Sequence, residues 1–495
     1  MNVKLQRWFI FIIIYANQCH VSVGFLFHKG GFPPEVMMEL NPKPLDDSFW
    51  PDRFPAKEHC SRCGLCETTF VSHVTSACAF LGEGMSRMDV MEESIHGRPR
   101  HRFTMVPSPD DAFVDEARFG VMYRNNSMFL AQGYGIPHAQ WTGCVTAIAI
   151  AMLESKLVDA VICIAASSDE PSNLGWCSPV PLIAKTVDDV LRGRGVKPSL
   201  APSLKVLDQI QADPSIRRLL FCGVGCAVQA FRAVEKELNL DQVYVLGTNC
   251  ADNSPTPQAA QNFIRQGLQV DSHDVLGYEF MQDFQVHLKT EKSYTKIPYF
   301  TLPGSIAENS IATSCLACFD YTNGLADVVV GYMGAPLTGN GQMDQSFQTV
   351  TVRNVKGAQM VETAMARKYL QQVGDVTGSG SHEKLATSTV ASDSIVLKMT
   401  GQPVPEQGMP MMLGKVLAAV LRYIGPKGVH FARYSIDYHI LRNYLHILHE
   451  WGPEKAEQHM PQHSKDIVRH YINTDTKYSD LCTMLTAKAK SLSRS

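Results

Sequence analysis

The sequence predicts an α/β fold: a mixed, largely parallel sheet core, preceded by an N-terminal iron–sulfur segment and followed by C-terminal helices. Three observations predict it. Apolar runs of strand length alternate with helical runs between residues 144 and 247, the order that builds βαβ layers. A tight set of cysteines stands ahead of that alternation, at Cys60, Cys63 and Cys66. Near the C-terminus, apolar residues recur at helical rather than strand spacing.

Each element follows from its residues. Cys144 to Ser155 reads as a helix, and Leu157 to Ala165, centred on Val161-Ile162-Cys163-Ile164, as a buried strand. Arg218 to Cys222 is a strand running into a glycine turn, Ala227 to Leu238 a helix, and Gln242 to Gly247 a strand again. Tyr278 to Lys289 and Lys296 to Leu302 read as two further strands with a turn between them. The polar segment from Gln372 to Met409, with Gly378-Ser379-Gly380-Ser381 at its centre, is expected to be a flexible linker. Beyond it, Val416, Leu417, Val420, Leu421 and Ile424 share one helical face, and Ile440, Leu441, Tyr444, Leu445 and Leu448 another. Lys415, Arg422 and Lys427 flank the first face, which suits either packing on the core or peripheral contact with a membrane surface. The expected segments are 55–110 for the iron–sulfur part, 111–371 for the α/β part, 372–410 for the linker and 411–495 for the helical region.

Composition narrows the function classes. The chain has 495 residues, 45% hydrophobic and 19% charged, with a net charge of −3. That is the profile of a globular protein, with no global positive field to attract nucleic acid. At the N-terminus, Lys4 and Arg7 precede the apolar run Trp8 to Tyr15, with Ser22 and Gly24 placed for cleavage before Phe25. This is the layout of a signal peptide (1–24), and the run is too short to span a bilayer. Residues 25–54 then read as a transit or linker segment. Phe25 resembles the aromatic that opens the transit half of two-part addresses to complex plastids. Secretion is the competing reading, and it would expose iron–sulfur clusters to oxidation.

The 14 cysteines do not have the even spacing of a small disulfide scaffold. Cys60-Ser61-Arg62-Cys63-Gly64-Leu65-Cys66 is a C-x2-C-x2-C run that can wrap one face of a [4Fe–4S] cubane, and Cys78 is the nearest fourth ligand. Zinc is the alternative for a C-x2-C pair, but three evenly spaced cysteines favour the cluster. A second group is dispersed. Cys226 and Cys250 each follow a strand, which sets them near each other on one edge of a parallel sheet. Cys315 and Cys318 complete a four-thiol set, with Asp320 as a possible oxygen ligand. Cys144, Cys163, Cys177, Cys222 and Cys482 are assigned to packing. Gly223-Val224-Gly225 and Gly331-Tyr332-Met333-Gly334 end strands in glycine turns, which can be plain turns or can bring backbone N–H groups to a diphosphate or an isoalloxazine edge. The basic stretch Arg98, Arg100 and Arg102 is either a solvated loop or a dock for an acidic electron carrier.

Cys60–Cys66 with Cys78, Gln140-Trp141-Thr142-Gly143, Gly223–Cys226, Tyr278–Asp283 and Ser314 through Gly334 together resemble the family of the β-subunit of deazaflavin-reducing hydrogenase. Its plant and cyanobacterial branches reduce chlorophyll pigments, and the resemblance runs from about Pro55 to about Tyr471. It implies FAD, two [4Fe–4S] clusters, reduced ferredoxin as donor, a chlorophyll-type pigment as substrate and a homo-oligomer. It assigns Thr142, Gly143, Gly223, Gly225, Asn249, Gly331, Met333 and Gly334 to the flavin. The metal ligands are then Cys60, Cys63, Cys66, Cys78, Cys226, Cys250, Cys315 and Cys318. Of the two branches, the 7-hydroxymethyl chlorophyll a reductases match better at Gly247–Cys250 and Asp437-Tyr438-His439 than the 8-vinyl reductases do. An electron-transfer subunit is the further alternative. His96 and Glu279 are the candidates for the acid that pigment reduction needs.

Overall fold

The structure, a computed structural model, describes residues 58–101, 115–124, 126–167, 175–338 and 341–492. The expected leader and transit segment, and Arg102, lie outside the described residues. Eleven strands carry the two larger sheets: β1 (Met128–Gly133), β2 (Ala160–Ala166), β3 (Pro179–Ala184), β4 (Arg218–Gly223), β5 (Gln242–Thr248), β6 (Val275–Met281), β7 (Gln285–Thr290), β8 (Tyr294–Pro298), β9 (Val328–Gly331), β10 (Gln348–Val352) and β11 (Leu370–Asp375). Eight of them form one sheet in the order β11-β1-β10-β9-β5-β4-β2-β3. Its centre, β9-β5-β4-β2, is wholly parallel, and antiparallel strands close both sides.

The central strands are apolar along their whole length because both faces are covered. Leu219 and Phe221 of β4, Val245 of β5 and Val329 of β9 enter one core. Leu220, Tyr244, Leu246, Val328 and Val330 alternate with them and enter the other. The period of two therefore feeds two separate cores. The main helices are α1 (Met88–His96), α2 (Cys144–Glu154), α3 (Gly225–Val234), α4 (Val355–Ala366), α5 (Glu383–Ser392), α6 (Met411–Ile424), α7 (Val429–His459), α8 (Gln462–Thr474) and α9 (Thr476–Leu492). Helices α2 and α4 cover the second core, with Ile148 and Met360 buried there. Helices α3 and α7 cover the first, together with Leu65, Phe80 and Met85 of the N-terminal segment. Arg53–Ser495 thus make one compact unit, and the expected boundaries mark segments within it.

Two expectations are corrected. Tyr278 to Lys289 is not one strand but most of a hairpin, β6 and β7, which continues into β8 as a three-stranded antiparallel sheet. Its turn passes through Phe284, a buried aromatic held at φ 60, so no glycine marks it. The segment 372–410 carries the end of β11, then α5 and a second helix, Ser394–Met399, whose Val396 is buried in the first core. Asp393 caps that second helix by accepting from the N–H groups of Ile395 and Val396. Helix α7 breaks at Gly452 (φ 79), because Pro453 cannot continue the hydrogen-bond ladder.

Candidate functional site

Parallel strands end side by side, and the site is built on those ends. Gly223 of β4 pairs with Gly247 of β5, and Thr248 of β5 with Val330 of β9. A cavity of about 330 Å³ opens at this carboxyl edge, walled by Gly223, Asn249 and Gly331 and reaching Trp141, Glu279 and Tyr332. This is where open α/β sheets place their ligands. Small residues make the room. A Cβ on Gly331 would overlap the Asn249 side chain, and one on Gly225 would stand 2.5 Å from the Asp320 carboxylate.

Two sets of thiols lie against this cavity. In the first, Cys60 accepts a hydrogen bond from Arg62 N at 3.3 Å, and Gly64 turns the chain at φ 87 against Lys205. Burial, and then the neighbouring thiols Cys60 and Cys66, push Cys78 up to about 12. Burial also raises Cys63, which feels Cys78, Cys226 and Cys60. The second set joins the ends of β4 and β5 to the loop 315–318. Burial raises Cys250, with Cys315 and Cys226 adding to it, and raises Cys318, with Cys226 and Cys315 adding likewise. Ser61 hydrogen-bonds the Cys226 thiol, so the two sets adjoin.

The thiols of each set, part-buried except for the exposed Cys66, would repel one another as thiolates unless a polynuclear cation neutralised them. N–H groups are already aimed at sulfur: Asn253 donates through its backbone to Cys315 Sγ (3.4 Å) and through Nδ2 to Cys250 Sγ (3.2 Å). Asp320 Oδ1 accepts from Gly324 N at 2.8 Å, while its buried Oδ2 has no partner. Burial holds this carboxyl up at about 6, beside Cys226 and Cys318. The donor chemistry, thiols with N–H groups aimed at sulfur, suits an iron–sulfur group, with Asp320 beside the second set as a further oxygen. Among the described residues no group of three or more His, Cys, Asp or Glu is gathered closely enough to hold a metal ion.

Side chains from α7 hold the second set, and no spacing in the sequence marks them. Asn443 Nδ2 lies 2.7 Å from Cys315 O, 2.8 Å from Cys318 O and 2.6 Å from the Tyr321 hydroxyl. Arg442 makes a double ion pair with Asp252, both contacts at 2.8 Å. Asn443→Ala should weaken any iron held by the second set roughly 10–100-fold, as loss of an outer-shell partner does. Iron retained after anaerobic gel filtration measures this, and wild-type retention would contradict it.

Glu279 is an acidic group of the cavity wall, beside Trp141 and Tyr332. Gln140 Nε2 (3.0 Å) and Trp141 Nε1 (3.3 Å) both donate to its Oε1, and the Tyr332 hydroxyl also bonds the carboxyl. Trp141 and Tyr332 stack at 4.8 Å with 9° between their planes. Burial raises Glu279 to about 7, so it can hold a proton near neutrality.

Other sequence candidates fall elsewhere. His96 does not line the cavity: Nε2 bonds Gly324 O (2.8 Å), Nδ1 faces Asn354 Nδ2 (3.2 Å), and burial lowers the ring to about 4. It is a satisfied core histidine. Of the eight flavin candidates, Gly143, Gly223, Gly225, Asn249 and Gly331 line the cavity. Thr142 instead bonds Gln348 Oε1, Met333 is buried in the first core, and Gly334 packs beside Val429. Cys163 and Cys222, assigned to packing, do reach the cavity wall. The two described arginines of the basic stretch are spent internally: Arg100 pairs with Glu92, and Arg98 with Glu116. Carboxylates eight and eighteen residues away consume both charges.

Residues 130–208 match the N-terminal part, and residues 216–375 the C-terminal part, of the family described as "Coenzyme F420 hydrogenase/dehydrogenase, beta subunit". The chain is 44% identical, over 84% of its length and 83% of the relative's, to a protein named 7-hydroxymethyl chlorophyll a reductase, chloroplastic, from Oryza sativa subsp. japonica. It is 38% identical to an uncharacterised protein of Nostoc sp., over 89% of this chain and 98% of that one. It is 28% identical to the coenzyme F420 hydrogenase subunit beta of Methanococcus voltae, over 44% of this chain and 72% of that one.

Proposed function

The chain belongs to the coenzyme F420 hydrogenase/dehydrogenase beta-subunit family of oxidoreductases, and we propose that it is a ferredoxin-dependent reductase of chlorophyll pigments acting in the plastid, with 7-hydroxymethyl chlorophyll a as substrate and chlorophyll a as product. One observation carries this reading: a single cavity is lined by thiols of both sets, Cys63 with Cys226, Cys250, Cys315 and Cys318, and by a proton-holding carboxyl, Glu279. A relative 44% identical and named for this reaction supports the choice of pigment. The two-part address to a complex plastid is part of the same proposal.

Two [4Fe–4S] clusters would sit on Cys60, Cys63, Cys66 and Cys78 and on Cys226, Cys250, Cys315 and Cys318, and FAD along Gly143, Gly223, Gly225, Asn249 and Gly331. Bound there, these groups supply the conversion of single electrons from ferredoxin into a two-electron reduction. The chain's own residues handle the proton. Gln140 and Trp141 donate to Oε1 and the Tyr332 hydroxyl bonds the same carboxyl, so three groups orient the acid. The hydroxymethyl oxygen departs as water, and it needs that proton as its C–O bond breaks. Gln140 fixes the carboxyl from one side and takes Val196 N (2.9 Å) on the other, tying the 193–197 loop to the acid.

The test incubates the anaerobic holoenzyme and reduced ferredoxin with each pigment separately, followed by chromatography. Chlorophyll a from the 7-hydroxymethyl pigment is expected. Product from the divinyl pigment alone would move the assignment to 8-vinyl reduction, and product from neither would leave an electron-transfer subunit.

A further inference from the structure

Helix α6 is built inside out. Its buried stripe is made mainly of small residues, Gly414 and Ala418 with Leu421 at the end. A Cβ on Gly414 would meet Thr301 and Pro298, so the helix sits close on β8 and the turn that follows it. The large side chains point the other way: Met412 is 75% exposed, Leu413 58%, Val416 60%, Tyr423 77% and Ile424 53%. An ordinary surface helix buries its large apolar residues and exposes its polar ones. Helical periodicity places Val416 and Ile424 on a packing face with Leu421, whereas only Leu421 of the three is buried.

Charge on this face has one sign. Lys415, Arg422 and Lys427 are all exposed, and no acidic residue occurs from Gln407 to Ile436. Lys427 Nζ stands over the Tyr423 ring at 5.8 Å, which pairs cation and aromatic at one edge of the patch. At 14 residues the helix is about 21 Å long, and no helix of the described residues is long and apolar enough to cross a membrane. A two-fold contact between copies would bring these cations against their own equivalents, which disfavours a second copy as the occupant. Apolar side chains interleaved with cations match an anionic lipid surface, where the apolar groups enter the acyl boundary and the cations meet the headgroups.

We propose that α6 is a membrane-surface anchor that lays this protein on an anionic bilayer. The proposal rests on the pigment-reductase reading for its purpose. The lipophilic substrate resides in the bilayer, and α6 is seated on the same three-stranded sheet whose β6 carries Glu279. Phe280 of β6, 40% exposed, lies 5.2 Å from Tyr299 in the turn beneath α6.

The experiment is flotation of the full-length holoenzyme with phosphatidylcholine vesicles, with and without phosphatidylglycerol. Wild type is expected to float with the anionic vesicles and to be released by salt. Each charge reversal among Lys415→Glu, Arg422→Glu and Lys427→Glu should lower partitioning at least about fivefold. Val416→Ser combined with Ile424→Ser should abolish it without changing far-ultraviolet circular dichroism, because both side chains are exposed. Equal flotation of wild type and variants, or none by wild type, would overturn the proposal, as would a change of oligomeric state in the Val416→Ser, Ile424→Ser protein. Turnover of detergent-dispersed pigment separates the two readings: vesicle binding without turnover sinks only the substrate assignment, and turnover without vesicle binding sinks only the anchor.

Discussion

Cys315→Ser is expected to cost the protein about four irons and all ferredoxin-driven turnover. The serine hydroxyl keeps the size of the side chain but is a poor ligand for iron, which prefers thiolate. The loop itself should survive, because Asn443 holds Cys315 O and Cys318 O rather than the sulfurs. Cys63→Ser should remove a like amount from the other set, since Cys63 feels Cys60 and Cys78 as well as Cys226. Iron assay with electron paramagnetic resonance of the anaerobic protein reads both variants. Unchanged iron in Cys315→Ser would take the second set out of the account.

Glu279→Gln should lower pigment turnover by about 10²–10⁴, the usual worth of a positioned acid. Glutamine keeps an oxygen to accept from Gln140 and Trp141, so the variant removes the proton and leaves the bonds. In the wild type, turnover should fall as pH rises through about 7, where the carboxyl ionises. That limb should vanish from the residual activity of the variant. Stability carries the same sign. With the pKa raised from 4.5 to about 7, the contribution of Glu279 is full below 4.5 and is lost as pH rises through 7. A pH profile unchanged by the substitution would assign the acid elsewhere.

The parts that could be read from sequence are those where chemistry is local. Cys60, Cys63 and Cys66 announce themselves because three cysteines share seven residues. Cys226 and Cys250 could be paired because each follows a strand and parallel neighbours end together, as Gly223 and Gly247 do. Glu279 was visible only as a carboxylate beside aromatics, and its raised pKa required the fold. Asn443, Arg442 and Asp252 were beyond reach, since Arg442 and Asp252 meet beside the second thiol set from positions 190 residues apart and have no spacing signature. No glycine marks the hairpin turn at Phe284, and the internal partners that occupy His96, Arg98 and Arg100 lie in other elements and so leave no local signature. The exposed face of α6 shows the remaining difficulty: periodicity marks an apolar stripe, but which side of it finds a neighbour depends on Gly414 and Ala418 fitting against β8.

The central claim is that electrons entering singly leave this chain as a pair, onto a pigment bond. Anaerobic titration measures it directly, by counting ferredoxin oxidised against chlorophyll a formed from the 7-hydroxymethyl pigment. The account predicts about two ferredoxins per chlorophyll a, with no chlorophyll a formed when Cys315→Ser replaces the wild type. Ferredoxin oxidised in the presence of intact clusters and flavin, with the pigment recovered unchanged, would contradict it.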